Sequence, residues 1–207
     1  MNIWFTSDTH YGHTNIAGPK ISNWKSGYRN FNSVWEMNQA LIDGINKYVK
    51  EDDVLYHLGD WSFGGVHNIL HFRNSLICKN IHLVKGNHDQ HIVDKEIKFH
   101  DTVFNPIDLF ASVNQVLEVS HGKHKFFLSH YPHLSWHHAY KGVIMLHGHE
   151  HGSFNSLNQN TLRMDVGVDS AKLLVGEMRP FRIEEIIDMN SRKKIIPIQH
   201  HDEGTNI

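Results

Sequence analysis

Five short blocks of metal-binding residue types punctuate the chain: Asp8-Thr9-His10, Gly59-Asp60, Gly86-Asn87-His88-Asp89, His130 and His147-Gly148-His149. Asp8 and His10 lie two apart, so on an extended chain their side chains project the same way and can reach one ion. Asp60 carries two oxygens and can bridge two cations, and Gly59 before it lets the backbone turn sharply. Asn87 offers a neutral amide oxygen beside His88, and Gly86 again gives room. His147 and His149 flank Gly148, so two imidazoles project from one short turn. Mixed oxygen and nitrogen donors suit first-row metals such as manganese, iron or zinc better than calcium, which prefers an all-oxygen cage. Five such blocks in series suggest one shared metal centre.

Each block sits at the end of an apolar, strand-like run. The runs are Ile3-Trp4-Phe5, Val54-Leu55-Tyr56, Ile81-His82-Leu83-Val84 and Phe126-Phe127-Leu128, and the fifth block closes Val143-Ile144-Met145-Leu146. Strand ends are where open α/β sheets build their sites. Residues 2–7 read as a strand, and 11–31 as a loop broken by Gly12, Gly18-Pro19 and Gly27. Ser33-Val34-Trp35-Glu36 reads as a capping box, and Val34, Met37, Leu41, Ile45 and Tyr48 keep helical spacing behind it. A strand over 54–58, a helix near 66–75 after Gly64-Gly65 and a strand near 80–84 complete a strand-helix-strand-helix-strand series. That series implies parallel pairing with helical crossovers. The second half is β-rich in short segments: 101–109, 115–120 and 124–129, with His121-Gly122 as a hairpin turn, then strands near 143–146 and 163–168. Residues 181–188 fit helix or strand, and the polar tail after Gln199 is expected to be mobile. The sum is a two-layered β core with flanking helices.

The 207 residues, 40% hydrophobic and 20% charged, fit one domain spanning 1–207. A net charge of -2 gives no overall basic balance of the kind that marks a nucleic-acid binder. Cys78 is the single cysteine and cannot form an intrachain disulfide, which favours a reducing, cytoplasmic setting. No h-region follows the starting Met, so no signal peptide is expected. No apolar run approaches the ~20 residues of a membrane span, and no obligate protein partner is evident. Histidine is the abnormal number, 20 in all, and most of them must do something other than bind metal.

The ordered set resembles the calcineurin-like metallophosphoesterase superfamily, whose pattern is D-x-H, G-D, G-N-H-D/E, H and G-H-x-H. Here it reads Asp8-Thr9-His10, Gly59-Asp60, Gly86-Asn87-His88-Asp89, His130, then Gly148-His149 preceded by His147. The resemblance implies an α/β (α+β) fold, a four-layer β-sandwich of two mixed sheets flanked by helices. It also implies two metal sites, with Asp8, His10 and His149 at the first, Asn87, His130 and His147 at the second, and Asp60 bridging them. His88 would face the substrate. Gly59-Asp60-Trp61-Ser62-Phe63-Gly64-Gly65 and Lys85-Gly86-Asn87-His88-Asp89 depart from the serine/threonine phosphatase signatures G-D-x-x-D-R-G and R-G-N-H-E. Ser7-Asp8-Thr9-His10-Tyr11-Gly12-His13-Thr14-Asn15-Ile16 with His130-Tyr131-Pro132 looks like a small bacterial or phage branch of single-domain phosphoesterases.

The implied activity is hydrolysis of a phosphodiester or nucleotide-type phosphoester by a metal-bridging hydroxide, in line with the leaving group. The implied cofactors are two divalent ions, manganese foremost, with iron, zinc or nickel as alternatives. His88 would assist the leaving group, and Asp89 or another carboxylate would orient it. Small phosphoesters, nucleotides or nucleic-acid ends are the expected substrates. A phosphomonoesterase, a pyrophosphatase or a non-catalytic metal-binding scaffold are the competing readings. His13 and Arg29 are candidate contacts to substrate phosphate, the guanidinium through a bidentate pair. Trp24, Tyr28, Trp136 and Tyr140 lie in the two loops expected to rim the site, where they could stack a base. His151, two beyond His149, reads as a residue behind the ligands. The other histidines read as structural or surface residues, and His200 and His201 as tail residues able to bind metal adventitiously.

Overall fold

The computed structural model describes residues 1–196. The tail after Gln199, with His200 and His201, lies outside the described residues. The elements in chain order are β1 (Ile3–Thr6), α1 (Thr14–Ala17), α2 (Val34–Tyr48), β2 (Val54–His57), α3 (Val66–Ser75), β3 (Asn80–Val84), β4 (Ile97–Phe99) and β5 (Thr102–Phe104). There follow β6 (Ser112–Asn114), β7 (Val116–His121), β8 (His124–Ser129), β9 (Ile144–His147), β10 (Arg163–Asp165), α4 (Val168–Val175), β11 (Phe181–Arg182) and α5 (Ile183–Ser191).

Two mixed sheets result. One has the order β11-β1-β2-β3-β6, the other β10-β9-β8-β7, and β4-β5 is a separate hairpin. β1, β2, β3 and β6 run parallel, and β11 caps the first sheet antiparallel to β1. β8, β9 and β10 are parallel, with β7 antiparallel to β8 at the edge. The sheets face each other over one apolar layer. Phe5, Leu58 and Val84 come from the first and Phe126, Leu128, Ile144, Leu146 and Met164 from the second, with Ala171, Ile183 and Ile186 of α4 and α5 closing it. The other face of the first sheet packs Trp4, Leu55, Ile81 and Leu83 against Ile45 of α2 and Ile69 and Phe72 of α3. Side chains alternate between these two layers as the period of a strand requires.

The capping of α2 differs in one detail from the expected box. Ser33 Oγ accepts from Glu36 N at 3.1 Å, but Glu36 Oε2 accepts from Asn32 N at 2.8 Å, one residue earlier than the N-cap. The hairpin turn is Gly122-Lys123, because His121 and His124 still pair. Residues 163–168 divide into β10 and the start of α4, and 181–188 into β11 followed by α5. The loop over 11–31 contains the one-turn α1. Trp136, expected at the site rim, is buried on the outer face of the second sheet with Phe127, Val143 and Met145, and its Nε1 donates to Val143 O at 2.9 Å. Among the described residues no helix is long and apolar enough to cross a membrane.

Candidate metal centre

Parallel pairing brings the C-terminal ends of β1, β2 and β3 to one edge of the first sheet, and those of β8 and β9 to the facing edge of the second. The five blocks therefore converge. The loops are tied together by backbone bonds: Asp8 N to Gly59 O at 2.9 Å, His10 N to Asp60 O at 2.9 Å and Gly148 N to His130 O at 2.9 Å. Two glycines are there for close approach. A Cβ on Gly86 would overlap Asp60 Oδ1, and one on Gly148 would overlap Ser7 Oγ and Asp8 Oδ2.

The donors fall into overlapping groups. Asp8, His10 and His151 lie with their ligand atoms within 4.8 Å of one another, as do Asp60, His130 and His149, and also His10, Asp60 and His88. Asp60 Oδ2 lies 3.4 Å from His10 Nε2 and 3.5 Å from His130 Nε2, between the first two groups. Asn87 Oδ1 is 3.1 Å from both His130 Nε2 and His149 Nδ1. His130 Nδ1 donates to Leu58 O at 2.8 Å, which leaves Nε2 as a lone-pair donor.

Burial dominates the electrostatics of the donor cluster. His10 is 3% exposed, and neither ring nitrogen has a hydrogen-bond partner. Burial, then the nearby Arg29 charge, holds its pKa well below the usual imidazole range, so the ring is neutral. Asp8 is fully buried, and burial pushes its pKa well up despite the opposing His151 charge. Orphaned buried nitrogens beside buried carboxylates are costly alone and fit bound divalent ions. Backbone strain marks the same residues. Asp8, His10, Asp60, His149 and His151 all have positive φ, at 55°, 46°, 56°, 70° and 48°, and only His100 and His138 share this among described non-glycine residues. Such conformations cost roughly 1–3 kcal/mol each and persist where surroundings enforce them.

Five residues stand differently from expectation: His147, His149, His151, Asp89 and Arg29. His147 is fully buried at the end of β9 and points away from the donors. Its Nδ1 bonds Gly148 O at 2.8 Å, and its Nε2 meets Asn158 Nδ2 at 3.2 Å. Both ring nitrogens are thus occupied, and Asn158 Oδ1 in turn accepts from Arg163 Nε at 2.7 Å. The G-H-x-H pattern falls on Gly148-His149-Glu150-His151, so His149 joins Asp60, Asn87 and His130, and His151 joins Asp8 and His10. Asp89 does not orient His88. Its Oδ2 accepts from Asp60 N at 2.9 Å and Gly86 N at 2.7 Å, and its Oδ1 from Trp61 N at 2.9 Å, so it fastens two ligand loops together. Arg29 is no phosphate clamp. Its guanidinium is spent on Asp169 at 2.8 and 2.9 Å, on Asp8 O at 2.6 Å and on Thr9 O at 2.9 Å.

Asp169, in the first turn of α4, escaped the sequence reading because no motif marks it. It also accepts from His151 Nδ1 at 2.6 Å, directing Nε2 toward Asp8, 3.8 Å away. Burial opposes charge on His151, but the Asp169 and Asp8 carboxylates outweigh it and raise its pKa. His13 does border the site. Its ring stacks on Phe63 at 4.2 Å and lies 5.5 Å from His10, with burial, then the His88 charge, lowering its pKa to about 4. His88 is half-buried, donates its backbone N–H to Asp60 Oδ1 at 2.9 Å and sets its ring edge-on to His10 at 5.3 Å.

The chain matches the model of the calcineurin-like phosphoesterase family over residues 1–177. It belongs to that family. It is 27% identical to an uncharacterised protein of Methanocaldococcus jannaschii over 203 residues, covering 94% of each chain. It is also 27% identical to the gene 66 protein of Mycobacterium phage D29 over 186 residues, 82% of this chain and 88% of that one. With the gene 66 protein of Mycobacterium phage L5 the identity is 27% over 224 residues, 99% of each. A solved structure of a protein of unknown function from Aquifex aeolicus superposes with a TM-score of 0.60 at 19% identity, over 91% of this chain and 98% of that one. That likeness concerns the fold. Family membership and the His/Asp groups together make this a metal-binding phosphoester hydrolase site.

One buried histidine holds the loops without belonging to the donor set. His57 ends β2, and its Nε2 donates at 2.9 Å to Thr9 Oγ1, whose own proton goes to Trp61 O at 2.7 Å. Its Nδ1 accepts from Gly59 N at 3.3 Å. Burial, then the His130 charge, lowers its pKa from 6.5 to about 3. The unfolded chain therefore takes up this proton first as pH falls. The stabilisation from neutral His57 is complete above about pH 6.5 and drains toward pH 3, by up to ~1.4 kcal/mol per unit. Urea unfolding at pH 7.5 and 5.5 checks this: His57→Gln is expected to lose less stability between the two than wild type. Parallel losses would remove His57 as the source.

Proposed function

We propose that the protein is a metal-dependent phosphodiesterase. The observation that carries this reading is a pair of clefts flanking His10. One, of about 380 Å³, is lined by Phe63, Gly64 and His88. The other, of about 540 Å³, is lined by Tyr28, Phe31, His151 and Lys172. His10 stands between them, its ring 5.3 Å from His88 and 5.1 Å from His151. A phosphoryl group at the donor cluster would have room for a substituent on each side, which a diester uses and a monoester does not.

In this reading Asp8, His10 and His151 hold one ion, Asn87, His130 and His149 the other, and Asp60 serves both. Manganese is the expected metal, in keeping with the mixed donors. The bound ions would activate water near neutral pH and neutralise phosphoryl charge. His88 would protonate the departing oxygen, and the Asp60–His88 backbone bond fixes its position relative to the donors. Asp89 and Asp169 act through other residues by holding loop and tautomer. The buried free thiol of Cys78 accords with a reducing cytoplasm.

The test is metal-reconstituted turnover of bis(p-nitrophenyl) phosphate against p-nitrophenyl phosphate. The diester is expected to have a kcat/KM higher by ~10-fold or more, and chelation to abolish both activities. A monoester preference would make it a phosphomonoesterase. Inactivity on both, with two ions verified as bound, would make it a scaffold.

A further inference from the structure

The two clefts differ in chemistry, and the smaller one contains the proton donor. Phe63 stands at its wall, 41% exposed although its ring lies edge-on to His88 at 5.6 Å. One face of Phe63 is backed in parallel by the His13 ring, at 4.2 Å and 15° between planes, and Trp24 in turn braces His13 edge-on at 5.3 Å. The result is an aromatic plate held rigidly from behind. Gly64 and Gly65 follow with φ of 95° and 80° and line the cleft beside Phe63, and a Cβ on Gly65 would meet nothing within 4 Å. Gln90 and His91, both exposed, line the same cleft and offer hydrogen-bonding groups. A braced, exposed aromatic ring with polar groups in the same cleft suits a flat heterocycle. Base–aromatic stacking is sequence-tolerant and needs only an accessible ring.

From this we infer that the cleft beside Phe63 is the leaving-group subsite and takes a nucleoside, its base on Phe63 and its ribose oxygen toward His88. The assignment rests on the phosphodiesterase reading and adds direction to it. The substituent that departs must be the one beside the proton donor, and His88 and Phe63 line the same cleft. The other substituent then occupies the cleft of Tyr28 and Lys172.

The methyl ester of adenosine 5′-monophosphate distinguishes the two orientations, because its two leaving oxygens are both alkoxides. With the base on Phe63, water adds to phosphorus and the P–O5′ bond breaks. O5′ keeps the electron pair and takes a proton from His88, while the water's proton goes to solvent. The products are adenosine and methyl phosphate. The opposite orientation gives methanol and adenosine 5′-monophosphate. Manganese-loaded wild type is expected to release adenosine over adenosine 5′-monophosphate by ~10-fold or more, within the range of stacking on one aromatic ring. Phe63→Leu is expected to move the ratio about tenfold toward parity, and Phe63→Tyr to restore it. Excess adenosine 5′-monophosphate from wild type, or an unchanged ratio in Phe63→Leu, would overturn the assignment. Absence of turnover with two ions bound counts against the esterase reading. The subsite is then judged by equilibrium binding. Wild type should hold adenosine 5′-monophosphate about tenfold tighter than methyl phosphate, and Phe63→Leu should not. Equal affinities in wild type would end the proposal.

Discussion

His151→Ala is expected to leave the protein with one tightly bound divalent ion in place of two, and His147→Gln to leave both. His151 aims Nε2 at Asp8 and is held by Asp169 through Nδ1, which is how a ligating imidazole is kept in one tautomer. Residues that only orient ligands are worth roughly 10–100-fold in metal affinity, so removal of a direct ligand should exceed that. His147 has both ring nitrogens engaged, with Gly148 O and Asn158. Its loss leaves Asn158 under-bonded in a buried place, a cost of about 1–3 kcal/mol in stability. Elemental analysis after dialysis against buffered manganese, read beside thermal unfolding, separates the two effects. A variant pair in which His147→Gln loses an ion and His151→Ala keeps both would restore the ligand set that the sequence first implied.

His88→Ala is expected to keep two ions and lose at least ~100-fold in kcat, the usual contribution of a positioned general acid. The ring lies within reach of His10 and Asp60, so its position alone also suits a ligand. Metal content decides between the roles. Substrates with good leaving groups supply a second readout. A nitrophenolate needs little protonation, so the loss should shrink for bis(p-nitrophenyl) phosphate relative to an alkyl diester. An equal loss on both substrates would assign His88 to phosphoryl charge stabilisation. Near wild-type kcat on both would remove it from the chemistry.

The convergence of the blocks is readable because each block lies at the end of a short apolar, strand-like run. Parallel pairing then leaves few ways to arrange the ends. The helices over Val34–Tyr48 and Val66–Ser75 were readable from spacing and breakers. α4 was not, since Val166-Gly167-Val168 looks like continued strand and the turn at Gly167 is set by Asp165 Oδ1 accepting from its N–H at 2.8 Å. Of the donors that the sequence suggested, the structure gathers Asp8, His10, Asp60, Asn87, His130 and His149 and leaves out His147, while Asp89 and Arg29 take other roles. Three histidines alternate over 147–151, and their spacing does not say which two face the donors; the position of Gly148 in the G-H-x-H pattern does, and the φ values of His149 and His151 and the partners of His147 agree with it. Arg29 and Asp169 are 140 residues apart, a pairing that only tertiary structure reveals.

That separation has a consequence for how the protein comes into being. Asp8 is presented by the first strand, whereas His151 and the Asp169 that steers it come from the last third of the chain. An emerging polypeptide therefore exposes histidines and carboxylates long before any of them can be arranged around a cation. Contacts so distant in sequence close late and slowly. Coordination should thus act as the final lock on an already collapsed chain, and metal withdrawal should be felt first as faster unfolding.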